Sequence, residues 1–375
     1  MSTIDRITLI PVAAPFKHSF TLGSGSASGS NMTGAVLFVK LETDDGHVGW
    51  GEQRALPTWS YETIETMVAA IRHHLGPLVI GLSPFDVELF QARANRALSP
   101  SVSNGMPFAR VAIDIAMHDL AGRIAGQPIH RLLGGKITDT IPLCSAIGAD
   151  TPGEMAQRAE ESSDYHAYKI KITGNVQLDI ERIRAVSRVT AGKPLWLDAN
   201  QSYSPSSMAR LLNGISDLTQ LVCAEQPVAS TDWFGMAAIR ARSSVPIAVD
   251  EGCFTSGDVA KLARFEAADL VVVKICKSGG IRNSLKTAHV AQANGIEILA
   301  SGLTDCGVGF AAAVHLFSTL SLSLPAELNG PELLAELFVD GLRFDAGHIV
   351  VPDAPGLGIT VNEDKLREHK LRIDA

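Results

Sequence analysis

The chain has 375 residues, 46% of them hydrophobic and 19% charged, with a formal net charge of −8. That mix excludes a disordered chain, and the negative balance argues against nucleic acid and anionic membrane surfaces as partners while leaving small anionic substrates open. The length exceeds one ordinary core, so a large domain with a smaller one, or a barrel with an attachment, is expected. No run approaches the roughly 18 apolar residues of a membrane span. The opening "MSTIDRITLIPVAAPF" carries an early acidic residue and no long apolar stretch, so a cytoplasmic protein without a leader is expected. Five cysteines (Cys144, Cys223, Cys253, Cys276, Cys306) form no CxxC pair, which fits buried, reduced thiols.

The first 130 residues predict an α+β domain. "ITLIPVAAPF" and "GAVLFVKLETDDGHVGWGE" read as antiparallel strands, the second piece folded at the turn "DDGH". Between them lies "GSGSASGSN" at 23–31, either a floppy surface hairpin or, with its flank from about 20 to 31, a lid over a site. Helical stretches follow, among them "PFARVAIDIAMHDLAGRIAG".

From about residue 140 strands and helices alternate. Apolar, β-rich pieces stand at 140–148, 168–172, 194–200, 221–227, 246–252, 270–276, 297–302 and, less clearly, 323–330. Amphipathic stretches such as "QLDIERIRAVSRVT" and "SGDVAKLARFEAA" separate them. Strand alternating with helix predicts parallel strands and right-handed crossovers, and eight such strands close naturally into a barrel. An open doubly wound sheet is the rival, but no GxGxxG follows the first strand of any unit.

Interior strands should be apolar, yet these end in Lys171, Asp198, Glu225, Asp250 and Lys274. Asp198 to Glu225 spans 27 residues, the next step to Asp250 spans 25 and the next to Lys274 spans 24, one βα unit each. The carboxylates therefore come from successive strands at one height, at the end where barrels build active sites. Three carboxylates in a low-dielectric pocket repel unless a cation holds them, and oxygen-only donors favour Mg²⁺, with Mn²⁺ able to replace it. Taken singly, each carboxylate reads equally as a helix cap or half of an ion pair. Asn200 lies on the face of Asp198 and either orients a ligand or caps a turn. In "YKIKI" Lys169 and Lys171 share a face, so a lysine crowded by another cation and by Mg²⁺ is expected to have a lowered pKa and a base role, with Lys169 perturbing Lys171 and binding a substrate carboxylate. Lys171 and Lys274 would offer one group to each face of a substrate. This constellation suits removal of a proton from carbon next to a carboxylate.

The pieces "KIKIT", "LDAN", "AEQP", "VDEG" and "VVVKICKSGG", in this order, resemble the enolase superfamily, in its muconate lactonizing enzyme subgroup. "AIDIAMHDLAGRIAGQPIHRLLGG" resembles the end of that family's capping domain, and "PGLGIT" the tail that returns to it. The resemblance implies a (β/α)7β barrel over 131–330, an α+β capping domain over 1–130 and a returning segment over 331–375. It further implies Asp198, Glu225 and Asp250 as Mg²⁺ ligands, Lys171 and Lys274 as acid/base groups and Lys169 as a helper. Glu251 is read as supporting the ligands or as a solvated residue, and Lys277 as holding the turn after it.

Substrate identity is expected from the eighth strand, the seventh-strand loop and the lid. "AELNGP" resembles the cycloisomerase pattern at Glu327, and Asp305 in "SGLTDCGVG" stands where many members carry Glu. Lys17 and His18 precede the lid and either meet a distal carboxylate or are solvated. The first reading is a cycloisomerase of muconate or a similar unsaturated dicarboxylate; the second is a racemase or epimerase of an amino acid derivative. A dehydratase is third, and a metal-binding scaffold without catalysis is the reading from another class. The expected partner is a small carboxylate, and the resemblance motivates a homo-oligomer.

Overall fold

The computed structural model describes residues 2–29, 31–101 and 104–373. Three antiparallel strands open the chain. β1 (Ile4–Pro15) runs into a tiny hairpin, β2 (Thr21–Leu22) and β3 (Gly25–Ser26), which belongs to the segment read as a lid; residue 30 of that segment lies outside the described residues. β4 (Thr33–Thr43) and β5 (Val48–Arg54) then complete a sheet of order β1-β4-β5.

The helix Pro107–Ala125 lies across this sheet and is buried over nearly its whole circumference, as its small and apolar residues require. Its N-terminal amides are met by a distant carboxylate: Phe108 N and Ala109 N donate to the two oxygens of Glu62 at 2.8 and 3.0 Å. The packing against β5 is close enough to need glycine there. A Cβ on Gly51 would stand 1.7 Å from Ala112 O, and one on Gly49 would stand 2.5 Å from Ala116 O.

The second half is the expected barrel. Its strands β7 (Cys144–Ile147), β8 (Ala167–Lys171), β9 (Leu195–Asp198), β10 (Leu221–Glu225), β11 (Ile247–Val249), β12 (Leu270–Val273) and β13 (Glu297–Ala300) form one parallel sheet in sequential order. The eighth position is held by single parallel bridges, Leu143 with Ala326 and Ser301 with Glu327, which join both sheet edges to the segment 326–327 and close the barrel. One expectation changes: residues 140–148 are not one strand. Thr140–Pro142, which is β6, pairs antiparallel with His348–Val350 outside the barrel, and Pro142 has no amide to extend that ladder.

Side-chain alternation fills the barrel in layers. Cys144, Ala167, Trp196, Cys223, Ala248, Leu270, Val272 and Leu299 form a separate apolar cluster at the lower levels. Two residues further along the strands the same face carries Lys169, Asp198, Glu225 and Asp250. All five cysteines are free and buried. Among the described residues no helix is long and apolar enough to cross a membrane. The chain from Val339 onward returns to the capping sheet, where Ala13 N donates to His369 O and Leu371 N to Pro11 O.

Overpacking at Gly51 has nowhere to go, because the obstacle is helix backbone. Gly51→Ala is expected to lower unfolding free energy by about 3 kcal/mol or to prevent folding. Chemical denaturation followed by circular dichroism measures it.

Candidate active site

Strand register delivers the charged residues to one level. Lys171 is the Cα partner of Asp198, and Asp198 is the Cα partner of Glu225. Asp250 follows the last residue of β11, and Lys274 follows the last residue of β12. Lys171 and Lys274 thus come from the second and sixth of eight positions, diametrically opposite in a closed barrel, with the three carboxylates on the strands between them.

The carboxylates face ammonium groups. Lys171 Nζ lies 2.5 Å from Asp198 Oδ2, and Lys169 Nζ lies 3.1 Å from the same oxygen and 2.9 Å from Glu225 Oε2. Lys274 Nζ is 2.6 Å from Asp250 Oδ2, and Lys277 Nζ is 2.7 Å from Oδ1 and 2.9 Å from the Asp250 carbonyl. Lys277 thus holds the Asp250 turn. Gln226 shares the task, since its Oε1 accepts from Asp250 N and Gly252 N, both at 3.0 Å. Gln226 itself has a left-handed backbone (φ 37°), as does Asn200 (φ 40°), so the segments leaving β9 and β10 bend sharply at the site.

Burial would raise the Asp198 and Asp250 carboxyls, but their lysines reverse this and hold both well below the usual range. Glu225 goes the other way, pushed well above its usual value by burial and then by Asp198. Glu251 is raised to about 7 by burial and by Asp250. The expected lowering supposes a neighbouring Mg²⁺; in the charge balance of the protein chain alone, Lys274 and Lys169 face carboxylates. Burial acts in that direction, yet Asp250 holds Lys274 above its usual value, and Asp198, Glu225 and Glu327 do the same for Lys169. The sequence reading weighed cation against cation; the structure sets every lysine against a carboxylate.

Among the described residues, no three carboxylate, imidazole or thiol groups stand together as a ready-made metal cluster, because the carboxylate oxygens are turned onto lysines. The donor set nevertheless fits a hard cation. Asn200 Oδ1 and Glu251 Oε2 are buried without a hydrogen bond, just past the ends of β9 and β11. Asn200 Nδ2 donates to Glu251 Oε1 at 3.1 Å, so Glu251 and Asn200 meet beside the ligand level. Only oxygens are on offer, as Mg²⁺ prefers.

Lys171 and Lys274 line one cavity of about 20 Å³, room for a single water. Its roof is Phe20, Leu22 and Ala27 of the lid, and its capping-domain wall is Leu56 and Trp59. Trp59 lies 4.4 Å from Lys274 Nζ, ring centre to ammonium, and stacks on Phe108 and Phe254. Glu327 and Asn329 enter from the eighth position; Glu327 accepts from Lys169, Ser301 and Asn329. Asp305 is held near the seventh-strand end beside a water-sized space that Glu52 and Lys274 also line. Burial raises it to about 6.

Lys17 and His18 are not brought to the cavity: Lys17 is exposed, and its Nζ donates to Pro331 O at 2.9 Å. Three residues of the capping domain, Glu52 and Arg54 buried and Trp59 half-buried, went unread in the sequence. Trp59 walls the cavity. Glu52 accepts from Val308 N at 2.7 Å and Gly309 N at 3.0 Å, and from Cys306 N, capping the helix Val308–Phe317. Arg54 reaches the carbonyls of Ala27 and Leu303. Only the alternation of Glu52 and Arg54 on a strand ending at the lid hinted at them.

Comparison with known proteins follows this geometry. Residues 11–134 match the family described as mandelate racemase / muconate lactonizing enzyme, N-terminal domain, and residues 153–365 match enolase C-terminal domain-like. The N-succinyl-L-Arg/Lys racemase of Bacillus cereus is 32% identical over 370 residues, covering 97% of each chain. Its crystal structure has a TM-score of 0.92 at 30% identity, covering 99% of this chain and 98% of that one. A dipeptide epimerase of Enterococcus faecalis, complexed with Mg and the dipeptide L-Leu-L-Tyr, has a TM-score of 0.88 at 28% identity, with 96% and 99% coverage. A muconate lactonizing enzyme of Pseudomonas fluorescens, complexed with muconolactone, has a TM-score of 0.92 at 27% identity, with 99% and 100% coverage.

Several carboxyls away from the ligand level are raised by burial: Glu62 to about 7, Glu332 to about 7 and Glu52 to about 8, the last also by Asp305. The folded state then keeps these protons to higher pH than the unfolded chain does, so their contribution to stability is full below about pH 4.5 and is lost as pH rises through 7 to 8. Unfolding free energy should fall over that window. Glu62→Gln should flatten the slope by up to about 1.4 kcal/mol per pH unit, read by urea denaturation at stepped pH.

Proposed function

The chain belongs to the mandelate racemase/muconate lactonizing enzyme family of the enolase superfamily, and from that premise we propose that it racemises or epimerises an N-acylated amino acid with an uncharged side chain. The observation that carries this reading is the pair Lys171 and Lys274, facing each other across one cavity whose remaining walls are largely apolar. No other cationic side chain among the described residues lines it. A dicarboxylate would have to bury its second charge against Phe20, Leu22, Leu56 and Trp59, which is costly without a partner. A free amino acid would set its ammonium against two lysines, and Glu327 is already engaged by Lys169, Ser301 and Asn329. An acyl group removes that charge.

Asp198, Glu225 and Asp250 would hold a Mg²⁺ ion, with Asn200 and Glu251 bracing the set. Bound there, the ion supplies positive charge where the substrate carboxylate gains electron density, the larger part of the barrier reduction. Everything else falls to the chain. Lys169, fixed beneath this level, attracts the substrate carboxylate. With the α-carbon between Lys171 and Lys274, one lysine takes the proton from one face and the other returns a proton to the opposite face; the roles exchange for the other enantiomer. Once the carboxylates are committed to a cation, they no longer hold Lys274 protonated, so its pKa moves in the direction a base requires. The lid excludes water from the carbanionic carbon.

Glu327 favours a second reading, since "AELNGP" resembles the cycloisomerase pattern and places this carboxylate in the same cavity. A cycloisomerase needs one proton-transferring lysine, whereas a racemase needs both.

N-acetyl and N-formyl amino acids with uncharged side chains, in D₂O with Mg²⁺, separate the two. Both enantiomers should exchange the α-proton in the native enzyme. Lys171→Ala and Lys274→Ala should each lose racemisation by about 10³-fold while each keeps partial exchange with only one, opposite, enantiomer. Mg²⁺- and Lys171-dependent loss of cis,cis-muconate absorbance, with no α-proton exchange, would establish the cycloisomerase instead. Chelation should abolish turnover, and added Mg²⁺ should restore it.

A further inference from the structure

The cavity between Lys171 and Lys274 admits one water, so no carboxylic acid substrate enters while the lid stays where it is. The lid's few ties to its surroundings therefore decide access. Thr21 O accepts from Ala149 N at 3.1 Å, and Ser26 O accepts from Thr58 Oγ1 at 3.3 Å. The third tie differs in kind. Arg54, at the end of β5, is 1% exposed, and its hydrogen bonds go to backbone carbonyls, with Asp305 acting on it only as a nearby charge. One Nη donates to Ala27 O in the lid and the other to Leu303 O in the seventh-strand loop at 3.3 Å. Its guanidinium also stands 4.9 Å from the ring of Phe16, just before the lid. Nε has no partner.

Burying a permanent cation against backbone carbonyls, with Asp305 only a more distant counter-charge, is expensive for stability, and an apolar side chain of the same volume would fill the space with less strain on the fold. The residue therefore reads as functional, since Ala27 and Leu303 both line the substrate cavity. Gly34 on the neighbouring β4 makes the arrangement possible: a Cβ there would stand 2.9 Å from Arg54 Nε and 3.2 Å from Nη2.

We propose that Arg54 is a positioning residue that latches the lid, clamping the Ala27 carbonyl to the Leu303 carbonyl across the cavity roof, and that the lid opens by releasing this guanidinium. The latch acts on whatever acid enters between the two lysines, so it stands for the racemase and the cycloisomerase alike. A guanidinium suits the task because its fork reaches two acceptors at once and its bonds are exchanged for water without a change of protonation.

Hydrogen–deuterium exchange of the full chain tests it without any substrate. Arg54→Met keeps the volume and removes the donors; Gly34→Ala keeps the charge and displaces it. In both, amides of residues 20–29 should exchange about tenfold faster or more, while β4 and the barrel strands keep native rates. In Arg54→Ala, which vacates the space, guanidinium ion at non-denaturing concentration should slow lid exchange again, and in Arg54→Met, where the side chain fills it, it should not. Unchanged lid exchange in both variants, or acceleration spread evenly over the capping domain, would overturn the proposal.

Discussion

The site depends on a charge balance in a space with almost no water. Asp198, Glu225 and Asp250 are fully buried at the top of the barrel, and Lys169, Lys171, Lys274 and Lys277 are buried with them. Neither set is tolerable alone at this depth, where unpaired charge is far costlier than in solvent. Much of the surrounding architecture follows from this. The strand register sets Lys171 beside Asp198 and Asp198 beside Glu225, Gln226 fixes the turn that carries Asp250, and the apolar layer below seals the floor. A divalent cation held by Asp198, Glu225 and Asp250 would take the place of ammonium groups on these carboxylates, leaving Lys171 and Lys274 to move protons.

This balance explains why the barrel was legible in the sequence and the pKa direction was not. Period-two alternation puts Lys169 and Lys171 on one face, and the βα repeat puts three carboxylates at one height; both are local signals that survive without coordinates. How far each lysine leans toward a carboxylate is a three-dimensional quantity, and it sets the direction of the shift for Lys169 and Lys274. The split of residues 140–148 likewise turns on a partner, His348–Val350, about which the local pattern says nothing.

The capping domain was the harder half to read for the same reason. Glu52, Arg54, Glu62 and Trp59 sit in or just after strand-like or turn-like stretches, where a charged or aromatic residue usually means only a surface. Their roles come from what the fold lays against them: the amides of the helix Val308–Phe317, the lid, the start of the helix Pro107–Ala125, and Lys274. Lys17 and His18 show the converse. Their place before the lid suggested a contact with substrate, yet neither lines the cavity: Lys17 is exposed and His18 half-buried. The barrel thus supplies the chemistry, and the smaller domain supplies the roof, one wall and the means of holding both down.

The returning tail has a consequence for how such a chain is made. Ala13 and Pro11 of β1 are bonded to His369 and Leu371, almost the whole sequence away, and Asp119 accepts from Trp50 N and Leu357 N together. The edge of the first-synthesised sheet is therefore closed by residues that leave the ribosome after the entire barrel. Until then that edge is an unpaired ladder, open to wrong partners. Nascent chains must carry it exposed until the barrel has been made, so the capping sheet is completed after the barrel it covers.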